Sequence, residues 1–318
     1  MSDLGGLATE LESRLPGAVE RDVPFADLST YRIGGPVAVL ARVRSATALH
    51  ALAEVTARLR PHLLVAGRGS NLLVDDAGFP GLVVLLEGEL EDLTMPPRNG
   101  PRTDGGTGTG VVRAGGGLAL PVLARRSAGA GWAGLEFYVG IPGSVGGAVR
   151  MNAGGHGRET ADVLLRASLV DLLGPDTRDV TAADLELGYR HSNVAPAQVV
   201  VAAELAVSAD DPAACEGRVA DIVRWRREHQ PGGANAGSVF RNPPGDSAGR
   251  LIDAAGLKGL RVGGAVVSDK HANFFQADPG ATAADVRALV AEVRRRVADA
   301  TGVELVPELR IVEAGETS

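Results

Sequence analysis

A glycine-rich run from Tyr138 to Gly157 is the first stretch whose residue types suggest chemistry. It reads YVGIPGSVGGAVRMNAGGHG and holds seven glycines in twenty residues. Residues without a Cβ let the backbone turn sharply or approach a ligand closely, and successive free N–H groups in such turns form an anion-binding nest. Any one of these glycines could serve a tight crossing of strand and helix, but the whole run predicts a phosphate-bearing ligand along the backbone.

A second glycine-rich turn, Gly67-Arg-Gly-Ser-Asn71, directly follows the apolar segment 62–66. A strand that runs into such a turn is another candidate phosphate site. A formal G-x-G-x-x-G also occurs at Gly129 to Gly134, but it follows a helical segment instead of joining a strand to a helix, so a Rossmann site is rejected.

Ser238 lies in the sequence AGSVFRNP, where a strand is expected to begin after a glycine turn. No G-x-S-x-G elbow surrounds it and no base stands nearby, which argues against a hydrolase. A serine can instead relay a proton to a developing carbanion. Taken alone, Ser238 is more typical of a turn-capping hydroxyl than of a proton donor.

Arg190 and Glu308 are the other two candidates. The guanidinium of Arg190, in Tyr189-Arg190-x-Ser192, suits bidentate carboxylate binding, although a surface salt bridge is an even alternative. Glu308 stands among apolar residues beside Pro307. Facing inward, its carboxyl would have a raised pKa suited to proton donation or charge stabilisation, whereas facing outward it is an exposed strand residue.

Composition and charge exclude several other classes of protein. The net charge is −7 with a pI near 5.5, so no overall field draws the chain to nucleic acid or an anionic membrane. The single cysteine, Cys215, and the histidines lack metal-ligand spacing, so no metal site is predicted. The arginine clusters at 224–227 and 294–296 are interpreted as solvated helix faces.

The N-terminal segment is acidic, and the longest apolar runs, such as 199–203, are only strand length, which predicts a cytosolic protein without a membrane span. The 318 residues suffice for two or three domains. Mixed helices and strands without regular βαβ alternation indicate an α+β fold with a boundary near residues 205–212. A low-complexity surface loop is predicted at 95–110.

Eight segments in register resemble the UDP-N-acetylenolpyruvoylglucosamine reductase family, also called UDP-N-acetylmuramate dehydrogenases. The resemblance covers residues 25–312. The matching segments are Thr30-Tyr-Arg-Ile-Gly-Gly35, Gly67 to Asn71, Gly140-Ile-Pro-Gly-Ser-Val-Gly-Gly147, Asn152-Ala-Gly-Gly155, Tyr189-Arg190-x-Ser192, Gly237-Ser-Val-Phe-Arg-Asn-Pro243, Lys270-His-Ala272 and Pro307-Glu308.

The resemblance implies a vanillyl-alcohol-oxidase-type (PCMH-type) FAD-binding domain of two subdomains over residues 1–207. A C-terminal α+β substrate-binding domain would cover 208–302, with the strand at about 303–314 packing near the site. It also implies non-covalent FAD, NADPH as hydride donor and UDP-N-acetylglucosamine enolpyruvate as substrate, in peptidoglycan precursor synthesis by a monomer.

The resemblance also implies roles for individual residues. The catalytic residues would be Arg190 and Glu308, stabilising an enol-like intermediate, and Ser238, donating the proton. The substrate-binding residues would be Tyr189, His229, Arg241, Asn242 and His271. The cofactor-binding residues would be Tyr31, Gly67, Arg68, Gly69, Ser70, Asn71, Gly140, Ile141, Pro142, Gly143, Ser144, Gly146, Gly147, Ala148, Asn152 and Gly154.

Two departures from the family pattern stand out. His229 occupies the place where many members have a lysine, and no room exists after Ser192 for the tyrosine-bearing insertion of one subgroup, so the chain resembles the shorter subgroup. Two alternatives remain open at this stage. One is an oxidase of small alcohols or sugars with the same FAD fold, whose flavin could be tethered at His156. The other is a nucleotide-binding regulatory protein without turnover.

Overall fold

The computed structural model describes residues 4–97, 108–174 and 176–313. Residues 98–107 of the loop predicted at 95–110 lie outside this range. The described residues form seven α-helices: α1 (Leu4–Arg14), α2 (Ala46–Leu59), α3 (Leu120–Gly129), α4 (Val145–Met151), α5 (Pro212–His229), α6 (Ala248–Ala254) and α7 (Ala283–Thr301).

The strands of the same ranges are mostly short. They are β1 (Val19–Pro24), β2 (Pro36–Val43), β3 (Leu63–Val65), β4 (Leu72–Val74), β5 (Phe79–Leu86), β6 (Leu93–Thr94), β7 (Thr109–Gly115), β8 (Trp132–Ala133), β9 (Gly154–Gly155), β10 (Arg158–Glu159), β11 (Leu164–Asp171), β12 (Thr177–Thr181), β13 (Gln198–Ala209), β14 (Arg261–Val262), β15 (Ala265–Val267), β16 (Phe275–Ala277) and β17 (Arg310–Val312).

The first sheet has the strand order β1-β2-β5-β3 and carries α1 and α2. Helix α2 begins because the Ser45 hydroxyl accepts a hydrogen bond from the Ala48 N–H, and it ends at Arg60 in left-handed conformation before Pro61. Its buried residues, among them Leu49, Leu52 and Ala53, form one face at helical spacing and pack on the sheet.

The second sheet has the order β12-β11-β13-β7-β6, with β8 pairing β13. Helices α3, α4 and α5 pack on it in a second core, to which α5 contributes Cys215 and Val219. This helix lies beyond the boundary predicted near 205–212, yet it packs with residues before it. The chain therefore passes from the second core to the C-terminal core after α5.

A third core joins the small sheet β14-β15-β16 to α6 and α7. Helix α7 begins at a capping box formed by Thr282 and Asp285 and buries a stripe that includes Val286, Leu289 and Val293. Residues from the N-terminal part, Tyr31 and Leu73, are also buried in this core. The first and third regions are thus packed together.

Two predicted strands near the candidate site are interrupted. Residues 238–242 hold isolated bridges, Ser238 to Phe274 and Phe240 to Pro307, and the C-terminal strand is limited to β17, which pairs in parallel with β4. Pro307 has no N–H to donate to a ladder. The Asn273 side chain replaces a neighbouring strand at Phe240, whose N–H donates to Oδ1 (2.9 Å) and whose carbonyl accepts from Nδ2 (2.8 Å).

In residues 4–97, 108–174 and 176–313, no helix combines the length and the apolar character that crossing a bilayer requires.

Candidate functional site

Two connected cavities run between the three cores. The first, of about 390 Å³, lies between the first and second sheets, and the second, of about 250 Å³, opens towards the C-terminal region. Both are lined by Val65, Gly67, Arg68, Ser144, Gly147 and Arg150. An extended ligand can therefore occupy both cavities.

The turn from Gly67 to Asn71 forms one wall of this channel. Among the described residues, nothing accepts hydrogen bonds from the N–H groups of Gly67, Arg68, Gly69 and Ser70. Gly69 has φ +59°, and a Cβ there would lie 2.4 Å from the Leu28 carbonyl oxygen, so only glycine fits. These free donors can bind an anion, in agreement with the sequence prediction.

The opposite wall is the glycine-rich run that leads into α4. Here the donors are partly committed: the N–H of Val145 bonds to the Leu118 carbonyl, and that of Gly146 to the Gly116 carbonyl. A Cβ on Gly146 would lie 3.1 Å from that Gly116 oxygen. The run therefore brings backbone close to backbone, and it also lines the channel at Gly140 to Ser144, Gly147, Ala148 and Gly154.

Two residues predicted to bind the cofactor, Tyr31 and Asn152, lie behind the walls of the channel and do not line it. Tyr31 is fully buried in the third core, where its hydroxyl donates to the Phe275 carbonyl at 3.0 Å and burial raises its pKa. Asn152 is also fully buried, caps α4 in left-handed conformation, and donates from Nδ2 to the Gly188 carbonyl at 2.9 Å. Both support the channel from behind its walls.

The turn held by Asn152 positions Arg190. Gly188 and His191 exchange both backbone hydrogen bonds at 3.1 Å, which leaves Arg190 at φ +54° in the left-handed region. Its Nε donates to Glu308 Oε1 at 2.7 Å and its Nη2 to the Gly154 carbonyl at 3.3 Å. The guanidinium thus faces the second cavity.

Glu308 is held from both sides. Its N–H donates to the Val239 carbonyl at 2.8 Å, and its carbonyl accepts from Asn71 Nδ2 at 3.0 Å. Burial raises the pKa of its carboxyl, while Arg190 and then Arg241 act in the opposite direction. The side chain therefore faces inward, which is the first of the two alternatives that the sequence left open for Glu308.

Ser238 lines the same cavity as Arg190 and Glu308. The hydrogen bond from Glu308 to Val239 explains this convergence, because it fixes the residue next to Ser238 against the C-terminal segment. The bridge to Phe274 holds the other side. Three side chains from distant parts of the sequence therefore share one cavity: a hydroxyl, a guanidinium and a buried carboxyl.

None of the five residues predicted to bind substrate is among the described residues that line this cavity. Tyr189 is 50% exposed, and its hydroxyl accepts from the Asn242 N–H at 3.3 Å. Arg241 is half-buried, and no described residue pairs with its buried Nε. His271 packs against Phe274, which lines the cavity, and burial lowers its pKa. His229 is exposed on α5 and stacks on Trp225 at 4.5 Å.

Three arginines that line the second cavity, Arg150, Arg226 and Arg310, were not predicted from the sequence to be site residues. Five arginines and one acid, Glu308, are the charged residues among those described as lining the second cavity; the arginines are Arg68, Arg150, Arg190, Arg226 and Arg310. The interpretation of the 224–227 cluster as solvated is wrong for Arg226, which is half-buried there. The cavity is strongly positive although the whole chain has net charge −7.

The channel also fits a large flavin nucleotide chemically. Thr30 Oγ1, on the wall of the first cavity, is buried without a partner among the described residues. Arg68 and Arg150 lie where the two cavities join, next to the free donors of the Gly67 turn. An unpaired hydroxyl, two cations and backbone donors suit a ribose and diphosphate. Within the described ranges, no His, Cys, Asp or Glu side chains cluster as a metal ion would need.

Comparison with known proteins gives matches over nearly the whole chain. Residues 37–175 match the FAD binding domain family, and residues 229–312 match the family described as UDP-N-acetylenolpyruvoylglucosamine reductase, C-terminal domain. The chain is 43% identical to a protein of Acidiphilium cryptum and 42% identical to one of Alkalilimnicola ehrlichii, both named UDP-N-acetylenolpyruvoylglucosamine reductase. Each alignment covers 93% of this chain and 92% or 95% of the relative.

A solved structure is similar over the same extent. The UDP-N-acetylenolpyruvylglucosamine reductase from Thermus caldophilus is 36% identical, with a TM-score of 0.75, over 92% of this chain and 98% of that one. The α+β fold with an FAD-binding domain, inferred from the sequence, is confirmed.

Proposed function

The chain belongs to the UDP-N-acetylenolpyruvoylglucosamine reductase family, and from this premise we propose how its own residues perform the reaction. It is an FAD-dependent oxidoreductase, a UDP-N-acetylmuramate dehydrogenase, that reduces UDP-N-acetylglucosamine enolpyruvate. We propose NADPH as the electron donor, the cytosol as the location, and a monomer as the working form. The product serves peptidoglycan precursor synthesis.

The shared cavity of Ser238, Arg190 and Glu308 is the observation that carries the proposed mechanism. FAD, when bound in the channel, supplies hydride transfer from NADPH to the vinyl carbon of the enolpyruvyl group. Negative charge then develops on the carbon next to the substrate carboxylate. Ser238 Oγ holds the proton that this carbon takes up.

Arg190 stabilises the same charge through its guanidinium, which Glu308 orients at 2.7 Å. Fixed charges in a cavity removed from water act strongly on a developing charge, because they need no reorganisation during the reaction. Glu308, whose carboxyl is desolvated by burial and accepts from the Arg190 guanidinium, completes the site. These three roles are proposals for this chain.

The cofactor would lie along the walls formed by Gly67 to Asn71 and by Gly140 to Ala148. Arg68 and Arg150 suit its diphosphate. For the UDP-sugar we propose the rim formed by Tyr189, Arg241 and Asn242, with His271 behind it. The unpaired Nε of Arg241 can donate to a phosphate or carboxylate oxygen. His229 is placed on the outer side of α5, so its proposed contact would involve the far end of the substrate.

An anaerobic visible spectrum tests this function directly. The purified protein should show a flavin band that bleaches with NADPH and returns with UDP-N-acetylglucosamine enolpyruvate. Denaturation should release the flavin, because its binding is non-covalent. A band that returns only with oxygen would contradict the proposed acceptor, and a flavin retained after denaturation would point to the tethered oxidase instead.

A further inference from the structure

The end of α5 presents two polar side chains to the second cavity. Arg226 and Gln230 stand four positions apart, and Gln230 caps the C-terminus of α5 by donating its N–H to the Arg226 carbonyl at 2.8 Å. Residues at this spacing lie on the same face of a helix. Both line the cavity, whereas their neighbours Arg227 and His229 are exposed.

Arg226 has no anionic partner in the described part of the chain. Its Nη1 packs 3.3 Å from where a Cβ on Gly140 would be, so the absence of a side chain there makes room for it. Desolvation alone lowers its pKa, which shows that no carboxylate offsets the burial. Arg190, another half-buried arginine of this cavity, is by contrast bonded to Glu308. A half-buried cation without a partner calls for an electron-rich ligand.

Within the ranges that the structure describes, Gln230 lacks a hydrogen-bond donor, where Arg226 lacks an acceptor. Its Oε1 is buried, and no described residue donates a hydrogen bond to it. Buried carbonyl oxygens are normally paired, and the exceptions often mark a place where a ligand binds. One helical turn therefore offers a hydrogen-bond acceptor and a cationic donor side by side.

A cyclic imide presents the matching edge, an N–H between two carbonyl oxygens. We propose that Arg226 and Gln230 bind the pyrimidine edge of the flavin ring, with Gln230 accepting from N3–H and Arg226 donating to the C2 carbonyl. This inference rests on the proposed function, because it takes FAD as the occupant of the channel. The uracil of the substrate has the same edge and is the alternative source of this chemistry.

The position of the pair favours the flavin ring over the uracil. Gln230 and Arg226 line the cavity that contains Ser238, where the enolpyruvyl group must react. The reacting flavin ring must reach that group directly. The uracil stands at the other end of the substrate, separated from the enolpyruvyl group by a hexose and a diphosphate.

The contact between Arg226 and the C2 carbonyl should change the midpoint potential of the bound flavin. A cation at the C2 carbonyl favours the reduced ring, which carries more negative charge, over the oxidised ring. Arg226 should therefore raise the midpoint potential of the bound flavin. Gln230 should contribute to FAD affinity in both redox states.

The test compares Arg226→Gln with Arg227→Gln, an exposed arginine next to it in the same helix. FAD dissociation constants and midpoint potentials are measured on purified protein, independently of turnover. For Arg226→Gln we expect reduced flavin to bind about tenfold more weakly relative to oxidised flavin, which equals a potential lower by roughly 30 mV. Arg227→Gln should leave both quantities unchanged, and Arg226→Lys should restore part of the potential.

Gln230 provides a second, independent variant in case Arg226→Gln does not fold. Gln230→Glu places a carboxylate one turn from Arg226, so the pair neutralises itself, and the potential should fall as in Arg226→Gln. If both variants keep the wild-type potential and FAD affinity but raise the KM for the UDP-sugar, the pair binds uracil and the proposal is overturned. A wild-type protein that binds no flavin would instead refute the proposed function.

Discussion

Arg190 Nε lies 2.7 Å from Glu308 Oε1, although 118 residues separate the two in the chain. The contact joins the turn at Gly188 to His191 with the segment before β17, and both side chains are largely buried, at 20% and 14% exposure. One buried acid between the guanidinium of Arg190 and the nearby Arg241 leaves the local charge positive. That charge is suited to the carboxylate of an enolpyruvyl group.

Glu308→Gln tests the role of this carboxyl in catalysis. The amide keeps the shape of the side chain but loses the charge that orients Arg190. We expect kcat to fall about 10²- to 10³-fold, as when a preorganised electrostatic group is removed from an active site. FAD content should stay at the wild-type level. Glu304→Gln, an exposed neighbour, is the control, and an equal effect of both variants would refute the assignment.

The pH dependence of stability should also reveal Glu308. Burial raises its folded-state pKa above the ordinary value of 4.5. Between the unfolded and folded pKa values the folded state binds more protons, so its contribution to stability is fully present below the unfolded pKa and is lost as the pH rises through the folded pKa. The free energy of unfolding of the wild type, minus that of Glu308→Gln, should therefore decrease as the pH rises from about 4.5.

Arg241→Gln extends the same test. Arg241 lowers the pKa of Glu308, so its removal should raise that pKa further and carry the decrease to higher pH. Unfolding by urea at a series of pH values, on Arg241→Gln with and without Glu308→Gln, gives the comparison. A difference that does not depend on pH would show that Glu308 titrates normally.

Ser238→Ala should separate the two half-reactions. NADPH does not need the Ser238 proton, so bleaching of the flavin by NADPH should keep its rate. Reoxidation by the enolpyruvyl substrate should slow by about 10²- to 10⁴-fold, the usual contribution of a positioned proton donor. Stopped-flow absorbance under anaerobic conditions follows each step. Equal loss in both steps would exclude proton donation as the role of Ser238.

The sequence predicted the elements with strong periodicity and clear ends. The 3.6-residue period from Ala283 to Ala298 predicts α7 within a few residues of its observed bounds, and Ser45 and Pro61 predict the two ends of α2. The glycine-rich segments were also predicted to line a ligand site, because residues without a Cβ let the backbone approach a ligand closely. Local signals of this kind depend on residues close together in the chain.

The convergence of the site did not follow from local signals. The Glu308 N–H donates to the carbonyl of Val239, the residue after Ser238, and so holds the two segments together. The Asn273 side chain fixes the same segment by accepting from the Phe240 N–H, where a strand would otherwise pair. Arg226 was interpreted as solvated because it stands among other arginines on a polar helix. Its burial depends on Gly140, whose missing Cβ leaves room 86 positions away. Tertiary packing, not helix periodicity, decides which arginine is enclosed.

Asp76→Ala should weaken the attachment of α7 to the turn between β4 and β5. Asp76 follows β4, and its two carboxylate oxygens accept from the N–H groups of Ala283 (2.7 Å) and Ala284 (2.9 Å) at the beginning of α7. The Thr282 hydroxyl accepts instead from the Asp285 N–H, so it cannot replace Asp76. Losing these two hydrogen bonds should cost about 1 to 2 kcal/mol of stability, the range for removal of a helix cap, measurable as a lower urea midpoint.

Asp221→Ala is the matched control for Asp76→Ala, because Asp221 pairs only with the exposed Arg224 in the same helix among the described residues. Exposed pairs of this kind contribute little, so its urea midpoint should stay at the wild-type value. In Asp76→Ala, α7 should also become cleavable by protease earlier than α2, since α7 loses two hydrogen bonds at its N-terminus while α2 keeps its cap at Ser45. Cleavage in the reverse order would show that Asp76 does not hold α7 to the turn between β4 and β5.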